Sequence, residues 1–382
     1  MLAAGRGHIS DLQLGPPLLP TILLIFVSIG LLSPYIGRKY AGTISVIKFT
    51  IPFVYFTKTD TLIWTIGDDV NYYLTSEKLL QNLSALEIYS ITAPELISNI
   101  IGSTHSLYYW YNIIIMDVFG SSYAVPVLGN VFVTTLSGIL FYHILFEIKQ
   151  NRAYAKYGTI FYLLHWDVLS WSSFLNIKDI LVIFFTMICL LSVLKIAREN
   201  DTSTTKLHSM ILVIITAMFW YLRFYAPAFI FGAAILWFIS RDKTHSFFAG
   251  GLLVISLPIL QVGLASASNY VNIGFIWPGI LTFSTPVIPF QLTSATHGFL
   301  ILSATLNWIF YLPTVLVGIR LFFTSDRGRL LLIYLLLVLL FYSVVPYLSG
   351  SRQRFQTVFV FAWLEYHFLW MYFPRLKMEY RS

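Results

Sequence analysis

The sequence predicts an all-α, polytopic helical membrane protein. Of the 382 residues, 57% are hydrophobic and only 11% are charged, whereas a soluble domain carries roughly 25% charged residues. Long apolar runs recur between Leu18 and Phe373. The runs are continuous, which favours helices, because the strands of a membrane β-barrel alternate apolar and polar residues. Many Trp and Tyr residues lie near the ends of the runs, as expected at membrane–water interfaces.

The charge distribution argues against a nucleic-acid-binding protein, and the cysteine content excludes disulfides and Cys-based zinc sites. The net charge is +7, but the basic residues are spread over short loops between the runs, so no nucleic-acid partner is expected. The single cysteine, Cys189, lies inside an apolar run. The chain therefore has no intrachain disulfide and no Cys-based zinc site.

The apolar runs predict about 11 transmembrane helices in a single transmembrane domain, residues 1–382, because a span needs about 20 apolar residues. The second run is short and contains Lys48. The segment 106–119 is too short to span, and we expect it to form a juxtamembrane helix in the interface. The predicted spans lie near residues 18–36, 43–57, 123–146, 157–175, 179–196, 207–223, 225–240, 247–264, 299–322, 329–347 and 357–373.

The distribution of basic residues predicts the orientation. Of the 24 Lys and Arg residues, 16 lie in one alternating set of loops and in the C-terminal tail. Loops rich in Lys and Arg face the cytoplasm. We therefore predict a multi-pass protein of the cell membrane with a cytoplasmic C-terminus. The two large loops, 58–122 and 265–298, would then be extracytoplasmic, and a functional site would be built from them and from the span ends.

Asp68 and Asp69 are the first candidate site residues. Charge at a membrane edge is costly and often functional. One carboxylate can act as a general base, and either can bind a divalent cation such as Mg²⁺ or Mn²⁺. The alternative, about equally weighted for the pair alone, is a solvated loop start or helix N-cap. Tyr72 and Tyr73 follow and indicate that a helix begins here.

Lys178 and Asp179 open a long predicted span on the same side. Lys178 is suited to meet an anionic lipid phosphate, and Asp179 can orient it or pair with another cation. The alternative is an N-cap Asp beside a Lys whose stem follows the apolar surface.

Arg223, Arg352 and Arg354 are predicted on the outer side, against the general trend of the basic residues. A guanidinium offers a planar set of donors that matches phosphate oxygens. An anionic substrate in the outer leaflet would explain these arginines, and contact with lipid headgroups is the alternative. Within predicted spans, the polar residues His165, Asp167, Glu365 and His367 indicate a pathway or a proton relay, unless they lie at a span end.

The order of these features resembles the GT-C superfamily of integral-membrane glycosyltransferases, particularly the branch of protein mannosyltransferases and aminoarabinose transferases. Gly67-Asp68-Asp69-Val-Asn-Tyr72 is similar to the acidic motif in that family's first outer loop. Lys178-Asp179 resembles a basic-Asp pair at the start of a later span. The remaining similarities are those of Ser106-Leu-Tyr-Tyr-Trp-Tyr with Phe119-Gly120 and Asn130, and of Gly350-Ser-Arg352-Gln-Arg354-Phe355.

This resemblance implies a sugar donor linked to a polyprenyl phosphate or diphosphate and bound from the outer leaflet. The acceptor, a hydroxyl of a glycan, lipid or protein, would lie in the first-loop groove. Asp68 would be the catalytic base, with Asp69 as its partner or as a metal ligand. The donor phosphate would be bound by Lys178, Arg223, Arg352 and Arg354, and supporting roles would fall to Tyr72, Tyr73, Asp179, His165 and Asp167.

Two other functions fit the sequence. A polymerase of O-antigen or exopolysaccharide is also polytopic and uses outer-face arginines on a lipid diphosphate, but the acidic pair in the 58–122 loop favours the glycosyltransferase. A lipid or solute transporter, or a flippase, would place charged residues near the middle of the membrane. Most charged candidates cluster at one face, so we rank this hypothesis third.

Overall fold

The computed structural model describes residues 12–59, 62–198, 202–241, 272–286, 288, 295–345 and 351–372. Over these ranges the chain is helical and contains no strand. The predicted span 247–264 lies outside the described residues, as does much of the predicted loop 265–298. The helices are α1 (Leu18–Ile36), α2 (Arg38–Lys58), α3 (Asp68–Asn82), α4 (Ala85–Ile88), α5 (Ala93–Ile101), α6 (Ser106–Phe119), α7 (Ala124–Lys149), α8 (Arg152–Leu163), α9 (Trp166–Phe174), α10 (Asp179–Arg198), α11 (Thr202–Trp220), α12 (Ala226–Arg241), α13 (Ile276–Ser284), α14 (Ile301–Thr324), α15 (Asp326–Ser343), α16 (Ser351–Phe355) and α17 (Val358–Tyr372).

Five helical segments in the described part of the chain are long and apolar enough to cross a membrane. This agrees with the predicted class of helical membrane protein, whereas the count of about 11 spans stays a prediction. Several other predicted spans are shorter or more polar as helices; α17, for example, has 15 residues. The five segments are Leu18–Ile36, Ala124–Lys149, Asp179–Arg198, Thr202–Trp220 and His297–Thr324.

The predicted span 157–175 contains two helices rather than one. α8 ends at Leu163 and α9 begins at Trp166. The His165 side chain accepts a hydrogen bond from the backbone N–H of Asp167 at 3.2 Å and so caps α9. The Lys48 ammonium donates to the Leu163 carbonyl at 3.4 Å. One backbone group at each of the two helix ends is thereby hydrogen-bonded inside the bundle.

The interior forms around α7, α8 and α10, where small residues let the helices approach closely. Gly138 faces Leu163, and a Cβ atom at this glycine would lie 2.6 Å from the Leu163 Cδ2 atom. Gly158 faces Leu145 and Tyr366 in the same way. These contacts fix the depth at which α8 packs between α7 and α17.

The bundle has two ends that carry different chemistry. α7 begins beside Tyr123, whose hydroxyl donates to Asp69 at 2.7 Å. It runs for 26 residues to Lys149, which corresponds to about 39 Å at 1.5 Å per residue. We refer to these as the Asp68 end and the Lys149 end. Helices α3 to α6, from the predicted loop 58–122, lie at the Asp68 end.

Helix α6 has the predicted bounds, residues 106–119. It packs against α3, α5 and α7, and its Tyr108 and Asn112 side chains are fully buried. The Leu107 backbone N–H donates to the Tyr221 carbonyl at 2.9 Å, which ties α6 to the end of α11. The helix therefore forms a base for α3 and its acidic residues.

Candidate functional site

Charged residues from distant parts of the chain meet at the Asp68 end around Asp179. This carboxylate is fully buried at the start of α10. Its Oδ2 accepts from Nε of Arg352 at 2.8 Å, and its Oδ1 lies 3.0 Å from Nη2 of Arg223. Gln356 donates to the same Oδ1 at 3.2 Å. Asp179 therefore holds two arginines, one following α11 and one in α16, in a single ion-pair cluster.

Arg352 joins this buried carboxylate to Asp68 in α3. Its Nη1 lies 2.5 Å from Oδ2 of Asp68, whose side chain is 56% exposed. Burial opposes the charge of Arg352, but Asp179 acts in the opposite direction and the pKa of the guanidinium is raised overall. The Nη2 atom of Arg352 is buried and has no hydrogen-bond partner in the described part of the chain. One donor of Arg352 is therefore left for a ligand.

Lys178 is the second unsatisfied cation of the cluster. The residue is 5% exposed, and its ammonium lies 5.9 Å from the centre of the Tyr72 ring. It makes no ion pair within the ranges that the structure describes. Burial lowers the pKa of Lys178 well below its usual value, and the nearby positive charge of Arg223 lowers it further. A bound anion would oppose this lowering of the pKa, because a nearby negative charge favours the charged form of lysine.

The cluster carries more basic than acidic groups. Among the described residues, the carboxylates that act on Lys178, Arg223 and Arg352 are those of Asp179 and Asp68. A guanidinium that pairs with one carboxylate still presents donors to a second anion, and phosphate oxygens match that geometry. The arrangement is thus suited to bind one anionic group next to Asp68.

Asp69 has a different environment from Asp68, because adjacent residues of a helix point about 100° apart. The Asp69 side chain is fully buried. It accepts hydrogen bonds from the hydroxyls of Tyr123 at 2.7 Å and Thr65 at 2.8 Å, and from the Ile66 backbone N–H at 3.1 Å. Burial raises the pKa of Asp69, and these hydrogen bonds partly oppose the increase. Asp69 orders the turn before α3, and Asp68 alone faces the cations.

The described residues contain no group of three or more His, Cys, Asp or Glu side chains that could hold a metal ion. Asp68 contacts Arg352, whereas the oxygens of Asp69 contact Tyr123 and Thr65. A shared Mg²⁺ or Mn²⁺ site would require these contacts to rearrange, and it stays a prediction.

The side chains of Tyr72 and Tyr73 also make different contacts. The Tyr72 ring packs edge-on against Tyr108, with ring centroids 4.9 Å apart, and it lies beneath Lys178. The Tyr73 hydroxyl donates to Glu77 at 2.8 Å, away from the cluster. Only Tyr72 therefore contributes to the predicted binding site.

Sequence analysis did not single out Tyr342, Gln356 or Asn176, whose side chains support this cluster. The Tyr342 hydroxyl accepts from Nη1 of Arg223 at 3.3 Å and donates to the Gln356 amide oxygen at 3.2 Å. Nearby, Asn130 donates to the Tyr108 hydroxyl at 3.0 Å, and that hydroxyl donates to Asn176. The only sequence signal was the presence of polar residues inside or beside apolar runs.

Arg354 does not join the cluster. Its guanidinium lies 4.7 Å from the centre of the Phe361 ring, and the charges that act on it are those of Asp167 and Glu365. Its Nη1 atom is buried without a partner among the described residues. Arg352 and Arg354 therefore belong to two different polar groups, although the sequence predicted that both bind the donor phosphate.

His165 and Asp167 belong to this second polar group, inside the bundle. Nε2 of His165 lies 2.8 Å from Oε2 of Glu365, and both side chains are almost completely buried. Asp167 accepts hydrogen bonds from Ser303 and, at 3.0 Å, from the Asn307 amide. The group lies beside the short non-helical segment between α8 and α9.

A cavity of about 300 Å³ adjoins this polar group. Its walls are apolar side chains of α14, α15 and α17, and its polar end carries Asn307, Tyr311, Arg354 and Glu365. Such a space is suited to an apolar chain with a polar or anionic group at one end.

Comparison of the chain with known proteins gives no match to a family model, to a curated protein or to a solved structure.

Proposed function

We propose that this protein is an inverting glycosyltransferase that uses a sugar linked to a polyprenyl phosphate or diphosphate. The observation that carries the proposal is the half-exposed Asp68 carboxylate in contact with Arg352 and next to the buried, unpaired ammonium of Lys178. A general base and an anion-binding group are therefore adjacent. That is the combination needed to transfer a sugar away from a phosphate.

In the proposed reaction Asp68 takes the proton from an acceptor hydroxyl while the hydroxyl oxygen attacks the anomeric carbon of the sugar. The bond between that carbon and the phosphate oxygen breaks, and the lipid phosphate leaves with the electron pair. Arg352, Lys178 and Arg223 stabilise the negative charge that develops on the phosphate. Attack from the face opposite the leaving group inverts the configuration.

The cavity on α14 and α15 suits the isoprenoid chain of a lipid-linked donor, because its walls are apolar. Its polar end carries Arg354 and belongs to the polar group of Asp167 and Glu365, not to the cluster around Asp179. Under the predicted orientation the Asp68 end faces outside the cell, where nucleotide sugars are absent. A lipid carrier would supply activated sugar on that side.

The proposal is tested by measuring sugar transfer from a labelled polyprenyl-linked donor in membranes that contain the wild type or Asp68→Asn. We expect Asp68→Asn to abolish transfer. The matched control is Asp117→Asn, which alters an exposed acid hydrogen-bonded to Tyr89 in the same loop region. Turnover by Asp68→Asn equal to that of the wild type would refute the role of Asp68. Products that grow into long chains would favour the polymerase.

A transporter is the second candidate, and one observation favours it. The break between α8 and α9 places His165, Asp167 and Glu365 inside the bundle, and broken helices with buried ionisable groups are typical of transport sites. Proteoliposomes distinguish the two functions. Movement of a lipid-linked sugar across the membrane without bond cleavage, sensitive to Glu365→Gln but not to Asp68→Asn, would favour transport.

A further inference from the structure

A polar pocket at the Lys149 end lies about 39 Å along α7 from the cluster around Asp179. Its volume is about 150 Å³, and it is lined by Lys149, Asn151, Tyr154, His367 and Trp370. A water molecule occupies roughly 30 Å³ in the liquid, so the pocket has room for a group the size of a phosphate. None of these residues takes part in the proposed sugar transfer.

The floor of the pocket is a fixed chain of hydrogen bonds. Nε1 of Trp363 donates to the Tyr154 hydroxyl at 3.0 Å. The same hydroxyl forms a hydrogen bond with Nδ1 of His367, 2.9 Å away. The Tyr154 and His367 side chains are buried, so the floor is polar and ordered.

The rim is cationic. Lys149 is exposed, and it forms no ion pair with the carboxylates that the structure describes. The charged group that acts on it is a second cation, Arg320 in α14. The Oδ1 atom of Asn151 accepts from the Tyr154 backbone N–H at 2.9 Å, which leaves the amide NH₂ as a donor at the rim. No lining residue is acidic.

A neighbouring ion cluster adds to the positive potential. The buried carboxylate of Glu147 lies 2.8 Å from Lys195, 2.9 Å from Arg198 and 3.5 Å from Arg327. One negative charge thus faces three positive charges, and Glu147 lies within one helical turn of Lys149. Anionic lipids are attracted to such basic groups at the membrane surface, with about 1 kcal/mol for each Lys or Arg.

We propose that this pocket binds the phosphate of an anionic phospholipid headgroup. Lys149 and the Asn151 amide contact the phosphate oxygens, and Arg320 contributes a second positive charge. Trp370, near the end of α17, also lines the pocket, and indole rings are enriched at the headgroup level of membranes. This position favours a lipid phosphate over free phosphate in solution.

The experiment is native mass spectrometry of the full-length protein in detergent, titrated with short-chain phosphatidylglycerol, short-chain phosphatidylcholine or inorganic phosphate. We expect phosphatidylglycerol to bind about tenfold more tightly than phosphatidylcholine. Lys149→Gln should weaken its binding about fivefold, as expected for the loss of one partly exposed charge contact, and Lys149→Arg should restore it. The matched control is Lys206→Gln, an exposed lysine near the start of α11 and outside the pocket.

Two results would overturn the proposal. The first is binding of phosphatidylglycerol that Lys149→Gln leaves unchanged or that Lys206→Gln weakens equally. The second is displacement of the lipid by inorganic phosphate at equal concentration, which would identify free phosphate as the ligand. Because Lys149 is exposed at the end of its helix, its substitution is not expected to prevent folding.

Discussion

The carboxylates of Asp179 and Asp68 contact the same arginine, but removing the charge of Asp179 should lower stability, whereas removing that of Asp68 should lower activity. Asp179→Asn keeps the shape of the side chain and removes a fully buried charge that faces Arg352 at 2.8 Å and Arg223 at 3.0 Å. Removing one partner of a buried ion pair costs about 3–5 kcal/mol. Because the amide retains an acceptor oxygen and Arg352 retains Asp68, we expect a loss of about 3 kcal/mol in the free energy of unfolding.

Asp68→Asn breaks the other contact of Arg352, but the Asp68 side chain is 56% exposed. An exposed ion pair contributes about 1 kcal/mol or less. We therefore expect Asp68→Asn to leave the stability nearly unchanged while it abolishes sugar transfer.

The assay is unfolding of the purified protein in mixed micelles by titration with a denaturing detergent, followed by tryptophan fluorescence. The wild type, Asp68→Asn and Asp179→Asn are compared under the same conditions. If Asp68→Asn destabilises the protein as much as Asp179→Asn does, Asp68 is a structural residue and the proposed division of roles fails. Unchanged stability of Asp179→Asn would contradict the buried cluster itself.

Three further outcomes are expected. Burial raises the pKa of Asp69 in the folded protein. The contribution of Asp69 to stability is therefore complete below its unfolded pKa of 3.8 and is lost as the pH rises through the higher folded pKa. Over that pH range, the unfolding temperature of the wild type should fall relative to that of Asp69→Asn. Asn130→Leu removes the donor to the buried Tyr108 hydroxyl and should cost about 1–3 kcal/mol in detergent unfolding. Gly158→Ala would place a Cβ atom 2.2 Å from a Leu145 methyl group and should cost about 1–3 kcal/mol, whereas Gly42→Ala, with open space around it, should not lower the unfolding temperature.

Local patterns predicted those helices whose ends are encoded nearby. The bounds of α1 and α6 agree with the predicted segments 18–36 and 106–119. In both cases the helix is followed by a glycine, Gly37 or Gly120, with positive φ, a conformation that glycine adopts readily. The break at His165 could not be predicted in this way, because its stability depends on Lys48, which is more than 100 residues away in sequence.

In the candidate site, too, some features follow from the local sequence and others depend on tertiary packing. The charge pattern predicted a common face for Asp68, Lys178, Arg223 and Arg352, and in the structure these residues surround Asp179. It could not separate Arg352 from Arg354. Residues two apart in a helix point about 200° apart, so only the packing of α16 decides which guanidinium faces Asp179 and which faces the cavity.

The contact between Arg352 and Asp68 has a consequence for the order of binding. Oδ2 of Asp68 is engaged by Nη1 of Arg352 at 2.5 Å, which leaves Oδ1 as the oxygen that can take a proton while this contact lasts. In the proposed reaction, the donor phosphate would compete with Oδ2 for the same guanidinium. Asp179 keeps Arg352 in place during that exchange, since its contact is to Nε rather than to Nη1. Binding of the donor phosphate would thus make both oxygens of Asp68 available to the acceptor hydroxyl.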